Sequence, residues 1–194
     1  NPAPGEVRLV RLGWLNEEDC MRRPMVGAVC LTVLGSIPAF AATASTNLTV
    51  SATIANNCSI TTSAVAFGGY DPVVTHATTP LDGSGTVSIT CTKGSTSTIG
   101  LGLGSNATGT TRRMVGAATD FISYEAYQPP NNTPGTACSY TAPTVWGTAG
   151  GGLFSPAAAP SRTTRTYNVC GRVAAGQDLP AGAYTDTVLA TVNF

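Results

Sequence analysis

From Leu48 to Ile54 every second residue is apolar: Leu48, Val50, Ala52 and Ile54 alternate with Thr49, Ser51 and Thr53. A period of two is the signature of a β-strand with one apolar face, and no helix presents such a row on one side. The same parity returns in the last eleven residues, where Val188, Ala190, Val192 and Phe194 share a face of a strand expected over Tyr184 to Phe194. An alternating strand near the front and another at the back suggest subunits that trade strands head to tail. A structural polymer is therefore expected ahead of an enzyme.

No helical pattern is found after residue 41. Short β-like runs are separated by turn residues. They are Asn57 to Thr62, with Cys58 and Ile60 on one face, Val65 to Tyr70, and Thr86 to Cys91, with Val87, Ile89 and Cys91 on one face. Next come Ile99, Leu101 and Leu103 alternating with glycines, then Arg113 to Val115 and Phe121 to Tyr127. Pro129 to Pro160 is rich in Pro, Gly and Ala, with Thr144-Val145-Trp146 its one strand-like piece, and alternation resumes from Thr163 to Val173. The segment around Pro80 and Asp82-Gly83 reads as a polar loop. Strands at this spacing without intervening helices argue for an all-β, antiparallel sandwich in one domain.

Residues 21–41 read as a signal peptide. Arg22 and Arg23 supply the positive start, and Met25 to Ile37 an apolar stretch too short to span a bilayer. Pro38-Ala39-Phe40-Ala41 supplies the small-residue cleavage pattern, placing the cut after Ala41. Residues 1–20 fit neither a signal nor a domain and are expected to be a non-native upstream extension, with translation starting at Met21. Export from the cytoplasm follows as the expectation. Only 10% of the residues are charged and the net charge is zero. Such a surface has no field to draw in nucleic acid or anionic membrane.

Beyond residue 41 four cysteines remain, Cys58, Cys91, Cys138 and Cys170. An even number in an exported chain suggests two disulfides. Of the three pairings, the sequential one closes two loops of similar size, each contributing on the order of 3 kcal/mol by the chain-entropy model. There is no Cys-x-x-Cys spacing and a single histidine, His76, so no metal is expected, and no cofactor.

Several of these pieces, in this order, resemble the spore coat protein U domain family, which includes the major subunits of archaic chaperone–usher pili. They are the leading strand before Asn57-Cys58, Phe67-Gly68-Gly69-Tyr70, Val87-Ser88-Ile89-Thr90-Cys91, and the Ile99 to Gly104 strand. Arg113-Met114, Ile122 with Tyr124 and Tyr127, Val145-Trp146-Gly147, and Ala181-Gly182-Ala183-Tyr184-Thr185-Asp186 complete the match. The Cys138 and Cys170 pair is a weaker part of it. The resemblance implies an immunoglobulin-like sandwich that lacks its last strand, which leaves an apolar groove. A periplasmic chaperone fills that groove first. At an outer-membrane usher the N-terminal strand of the next subunit replaces it.

Carried onto this sequence, the resemblance makes 42–55 an N-terminal donor strand and 56–194 the pilin domain. Leu48, Val50, Ala52 and Ile54 become plugs, and Val188, Ala190, Val192 and Phe194 line the groove and contact the chaperone. Strand addition satisfies an open sheet edge, and alternate side chains fill pockets. Burial of Leu, Val and Ile at ~2 kcal/mol each, with less for Ala, gives roughly 6 kcal/mol before ordering costs. The expected function is a pilus subunit serving adhesion and biofilm formation, with related pilins, chaperone and usher as partners. The leading strand also admits a second reading, as this domain's own first strand folded back within the monomer. The rivals are a non-polymerising coat or matrix protein of the same fold and a carbohydrate-binding adhesin using Trp146 or Tyr127.

The remaining candidates carry bland readings. His76 sits in a polar loop with no nucleophile motif nearby. Gly150-Gly151-Gly152 lacks the lysine of a phosphate loop and reads as a flexible loop. Asp178 and Asp186 are expected to satisfy loop backbone groups rather than act as an acid–base pair. Arg112, Arg113, Arg162 and Arg165 are expected to be solvated charges.

Overall fold

The computed structural model describes residues 41–117 and 119–194. The expected upstream extension and the signal peptide up to residue 40 lie outside the described residues. Two units follow, a body from Ser51 to Phe194 and the residues that precede it. Of the latter, 41–50 form no strand and every one is exposed.

The body is all-β. Its strands are β1 (Cys58–Ala66), β2 (Leu81–Cys91), β3 (Thr98–Leu101), β4 (Arg112–Val115), β5 (Phe121–Tyr127), β6 (Arg165–Val173) and β7 (Ala190–Asn193). They make a five-stranded sheet in the order β1-β2-β6-β5-β4 and a two-stranded sheet of β3 and β7, every neighbouring pair antiparallel. The two sheets face each other across one core, as an immunoglobulin-like sandwich does. Val87, Ile89, Tyr167 and Val169 point in from the larger sheet, and Ile99 and Leu101 from the smaller. Trp146 and Phe154, from the long Pro/Gly-rich connection, close the core, their rings 5.2 Å apart. The Trp146 indole donates to the Ile99 carbonyl at 2.9 Å. A buried indole needs such a partner, and this one ties the long connection to β3.

The outer face of the large sheet carries short hydroxyl side chains along β1, β2 and β6. Hydroxyls pair across its strands, Ser63 with Thr86, Ser88 with Thr166 and Thr90 with Thr164, each within 2.8 Å. Short polar side chains satisfy one another there, where other proteins use Lys and Glu.

Both disulfides form, Cys58–Cys91 and Cys138–Cys170. The first pins the edge strand β1 to β2, and the second holds the 128–143 connection against β6.

The structure corrects several expectations. The strand expected over Tyr184 to Phe194 narrows to β7 at Ala190–Asn193, preceded by an isolated bridge between Thr185 and Val115. The segment at Pro80 to Gly83 is not all loop, because β2 starts at Leu81 and pairs there with Val173 on β6. Val65 to Tyr70 is not a strand of its own, since β1 runs through to Ala66 and Phe67 to Tyr70 continue as loop. Arg112 and Arg165 are not solvated. Arg112 is completely buried, donating to the carbonyls of Leu101, Gly102 and Trp146 and pairing with Glu125. A buried guanidinium survives because its donors are matched by acceptors fixed in place. Arg165 is also buried and donates to the Ala157 carbonyl.

Candidate functional site

A groove lies between β1 and the C-terminal segment. β1 pairs on one side only, with β2, and β7 on one side only, with β3. Thr62 to Val65 form one wall, Tyr184 to Asp186 with Val188 and Ala190 the other, and the core residues Val87, Leu101, Ala126 and Val169 the floor. This part encloses about 350 Å³. A second cavity of about 580 Å³ shares Val65, Phe67, Met114 and Tyr184 with it. It runs on past Leu81, Ile122 and Val173 to the loops at 67–72 and 179–183.

The wall formed by β1 is shaped by a bulge. Its register against β2 shifts between Ser63 and Ala66, which is what a bulge does at a sheet edge. Thr62 is paired with Val87 and so faces inward, yet it is exposed on the open groove. After the bulge, Val65 and Phe67 lean across the sheet. Glycines make room for them. A Cβ on Gly171 would stand 2.6 Å from Val65 Cγ1 and 2.7 Å from Phe67 Cζ, and one on Gly85 would stand 2.7 Å from the Ala64 carbonyl oxygen. The Tyr70 hydroxyl then anchors the end of this loop, donating to the Ala174 carbonyl at 3.0 Å and accepting from the Gln177 amide at 2.9 Å.

The opposite wall alternates. Tyr184, Asp186, Val188, Ala190 and Val192 are half-buried, and the residues between them are exposed. Among the expected groove residues, Val188 and Ala190 line the cavity. Val192 is half-buried against the core opposite Ile99, and Phe194 is 55% exposed beyond the last pair of the ladder. Asp186 is fixed by the Asn106 amide and side chain and by the Tyr124 hydroxyl. It is thus a structural acceptor, as expected, although a side chain rather than only loop backbone supplies its donors. Sequence reasoning missed Val65, Phe67, Met114 and Tyr184 as lining residues. The parity of Val65 with Phe67 was the available signal, and it was obscured by the bulge.

The expected plugs are free of the sheets. Residues 41–57 enter no β-ladder, and Leu48, Val50 and Ile54 are 87%, 86% and 85% exposed. Three exposed apolar side chains on one parity are costly in water unless something covers them.

The other candidates are structural. His76 stacks on Tyr70 at 5.0 Å and its Nδ1 meets the Thr79 carbonyl, while Asp178 is exposed. Gly150 to Gly152 form a single 3-10 turn. Among the described residues no group of His, Cys, Asp and Glu is arranged to hold a metal. Trp146 is fully buried, so it offers no face to a sugar in the rival adhesin reading.

Comparison with known proteins places these features. The family model of the Spore Coat Protein U domain matches residues 44–191. Protein U of Myxococcus xanthus is 40% identical over 172 residues, covering 81% of this chain and 88% of that protein. Among solved structures, the CsuC–CsuE chaperone–tip adhesion subunit pre-assembly complex from archaic chaperone-usher Csu pili of Acinetobacter baumannii is similar, with a TM-score of 0.49 and 23% identity. That match covers 73% of this chain and 41% of the other.

Proposed function

The chain belongs to the Spore Coat Protein U domain family, and on that premise we propose that it is an exported structural subunit that polymerises by strand exchange. A protein of this family is a structural subunit and not an enzyme. Leu48, Val50, Ala52 and Ile54 of one copy fill the groove between β1 and the C-terminal segment of the next. Val188 and Ala190 form the receiving wall, and Val192 and Phe194 extend it. A periplasmic chaperone strand holds the groove before assembly, an outer-membrane usher exchanges it, and the fibre serves adhesion and biofilm formation. The observation that carries this reading is the pairing of two incomplete halves in one chain. An apolar groove is flanked by two unpaired strand edges, and an alternating apolar segment outside the ladders has the right period to fill it. A head-to-tail contact of this kind does not close on itself and grows as a fibre.

The test is periplasmic expression with a candidate chaperone, followed by electrophoresis and electron microscopy. SDS-resistant ladders or thin fibres are expected, and Val50→Asp or Ile54→Asp removes them. A stable monomer indifferent to chaperone overturns the reading.

The family's name and the likeness to Protein U support a second reading, a coat protein of the same fold that does not polymerise. Deleting residues 42–54 separates the two. A polymerising subunit keeps its fold in complex with chaperone and loses only assembly, whereas a coat domain that folds this segment back as its own first strand loses its own fold.

A further inference from the structure

We infer that the exposed Val73-Val74 tip of the loop after Tyr70 is a contact surface for the body of the next copy in the fibre; the inference rests on the strand-exchange reading above. Three observations lead to it.

The first is direction. Every ladder among the described residues is antiparallel. A donor that adds to the free edge of β7 in this sense runs opposite to the C-terminal segment and alongside β1 in the same direction, so its Ile54 leaves the groove beside Tyr184. That is the end occupied by the larger cavity, whose rim includes Tyr70 and Pro72.

The second is slack. Residues after Ile54 are already tied to their own body. The Thr92 hydroxyl donates to the Ala55 carbonyl, the Thr92 amide donates to the Asn57 carbonyl at 2.9 Å, and Ser95 donates to the Asn56 side chain at 3.2 Å. An extended residue reaches only ~3.5 Å. A copy whose Ile54 is seated in a neighbour's groove therefore has its 92–97 end pressed against that neighbour's rim.

The third is the rim itself. Val73 and Val74 are 82% and 74% exposed, on a loop that is held rigid. The Asp71 carboxylate accepts from the Val73 and Val74 amides at 2.9 and 3.1 Å, and the His76 amide donates to the Asp71 carbonyl at 2.8 Å. The Gly176 amide fastens the loop to the body through the His76 carbonyl at 2.8 Å. Two adjacent valines on a preorganised loop gain by burial without an ordering cost. A second copy is the occupant that chain connectivity delivers there.

A photo-crosslinking residue placed at position 74 (Val74→p-benzoylphenylalanine) tests this in assembled fibres. The expected crosslink joins position 74 of one copy to residues 92–97 of the next, and it is lost in the monomeric Ile54→Asp protein. Fibres that form without this crosslink overturn the contact and leave strand exchange standing. Failure of the unmodified chain to polymerise overturns both. A second variant, Val73→Asp with Val74→Asp, is expected to keep the SDS-resistant joint while the angle between successive copies loses its regularity in electron micrographs. An unchanged angle distribution also overturns the contact.

Discussion

Tyr124, on β5, donates its hydroxyl to the carboxylate of Asp186 at 2.8 Å. One residue belongs to the large sheet and the other to the far wall of the groove, so the bond sets the width between them. Asp186 accepts from the Asn106 side chain at 3.0 Å as well, and Gly104 permits the approach. A Cβ there would lie 1.9 Å from Asp186 Oδ2, at a backbone φ of +93° that disfavours any other residue. Tyr124→Phe is expected to cost about 1–2 kcal/mol, as loss of a half-buried hydrogen bond to a charged acceptor does. Urea denaturation of the secreted protein measures it, and Gly104→Ala should weaken the same wall.

The same bond makes the fold sensitive to alkali. Burial raises the Tyr124 hydroxyl well above its ordinary value, and the hydrogen bond to Asp186 raises it further. Burial also raises Tyr127 and Tyr140. A folded value above the unfolded one means that the unfolded chain loses its proton first. The contribution is complete below pH ~10 and declines as pH climbs beyond it. Stability measured against pH should therefore be flat through neutrality and fall above pH ~10, with a shallower fall in Tyr124→Phe.

Arg112 is the most heavily partnered side chain of the body. Its guanidinium gathers Leu101 and Gly102 at the end of β3, Trp146 from the long connection and Glu125 on β5. Arg112→Met would take a donor from each of those carbonyls and leave the Glu125 carboxylate with the Ala126 amide but no counter-charge, and breaking a buried pair from one side costs about 3–5 kcal/mol. Arg112→Lys is expected to recover little, because one ammonium cannot reproduce the planar fork. Chemical denaturation of both variants ranks them, and a lysine variant as stable as the parent would refute this account.

The element types were legible in the sequence because strands carry their own period. The pairs Val87 with Ile89 and Val188 with Ala190 face inward as their parity required. Both cysteine bridges took the sequential pairing. What could not be read locally came from distant partners. Leu81 to Gly83 looks like a turn, yet β6 supplies a ladder for it, and Gly83 is there because Phe67 folds over it at 2.8 Å from a Cβ position. Arg112 looked solvated because its acceptors come from positions 101, 102, 125 and 146, which no window of sequence brings together. The groove wall was half visible. The parity of its C-terminal side was plain, and the bulge at Ser63 to Ala66 concealed the contribution of Val65 and Phe67.

The two disulfides should differ in what they protect. Each closes a loop of similar length and is worth on the order of 3 kcal/mol to the fold. Cys58–Cys91 also fastens the free-edged strand β1, which is a groove wall. Replacing Cys58 and Cys91 with serine is expected to lower both stability and fibre yield. Replacing Cys138 and Cys170 should lower stability alone, since the 128–143 connection lies away from the groove. Denaturation midpoints set beside SDS-resistant ladders would separate the two effects, and equal losses of fibre would contradict the assignment.

Gly171 gives the sharpest steric test of the groove. It lies on β6 opposite Gly83, under Val65 and Phe67, where a Cβ would intrude to 2.6 Å. The contacted atoms are the ends of two side chains, so alanine must turn Val65 and Phe67 aside or push the end of β1 outward. Gly171→Ala is expected to cost about 1–3 kcal/mol by overpacking. Gly171→Val should add the displacement of Phe67 from its edge-on contact with Tyr124, at present 6.0 Å between ring centroids. Because Val65 and Phe67 line both cavities, the damage should reach assembly as well as folding. A compensating Phe67→Leu, which shortens the side chain above Gly171, should restore part of the stability of Gly171→Ala. A double-mutant cycle measures that coupling, and strictly additive losses would show that the two residues do not compete for the same space.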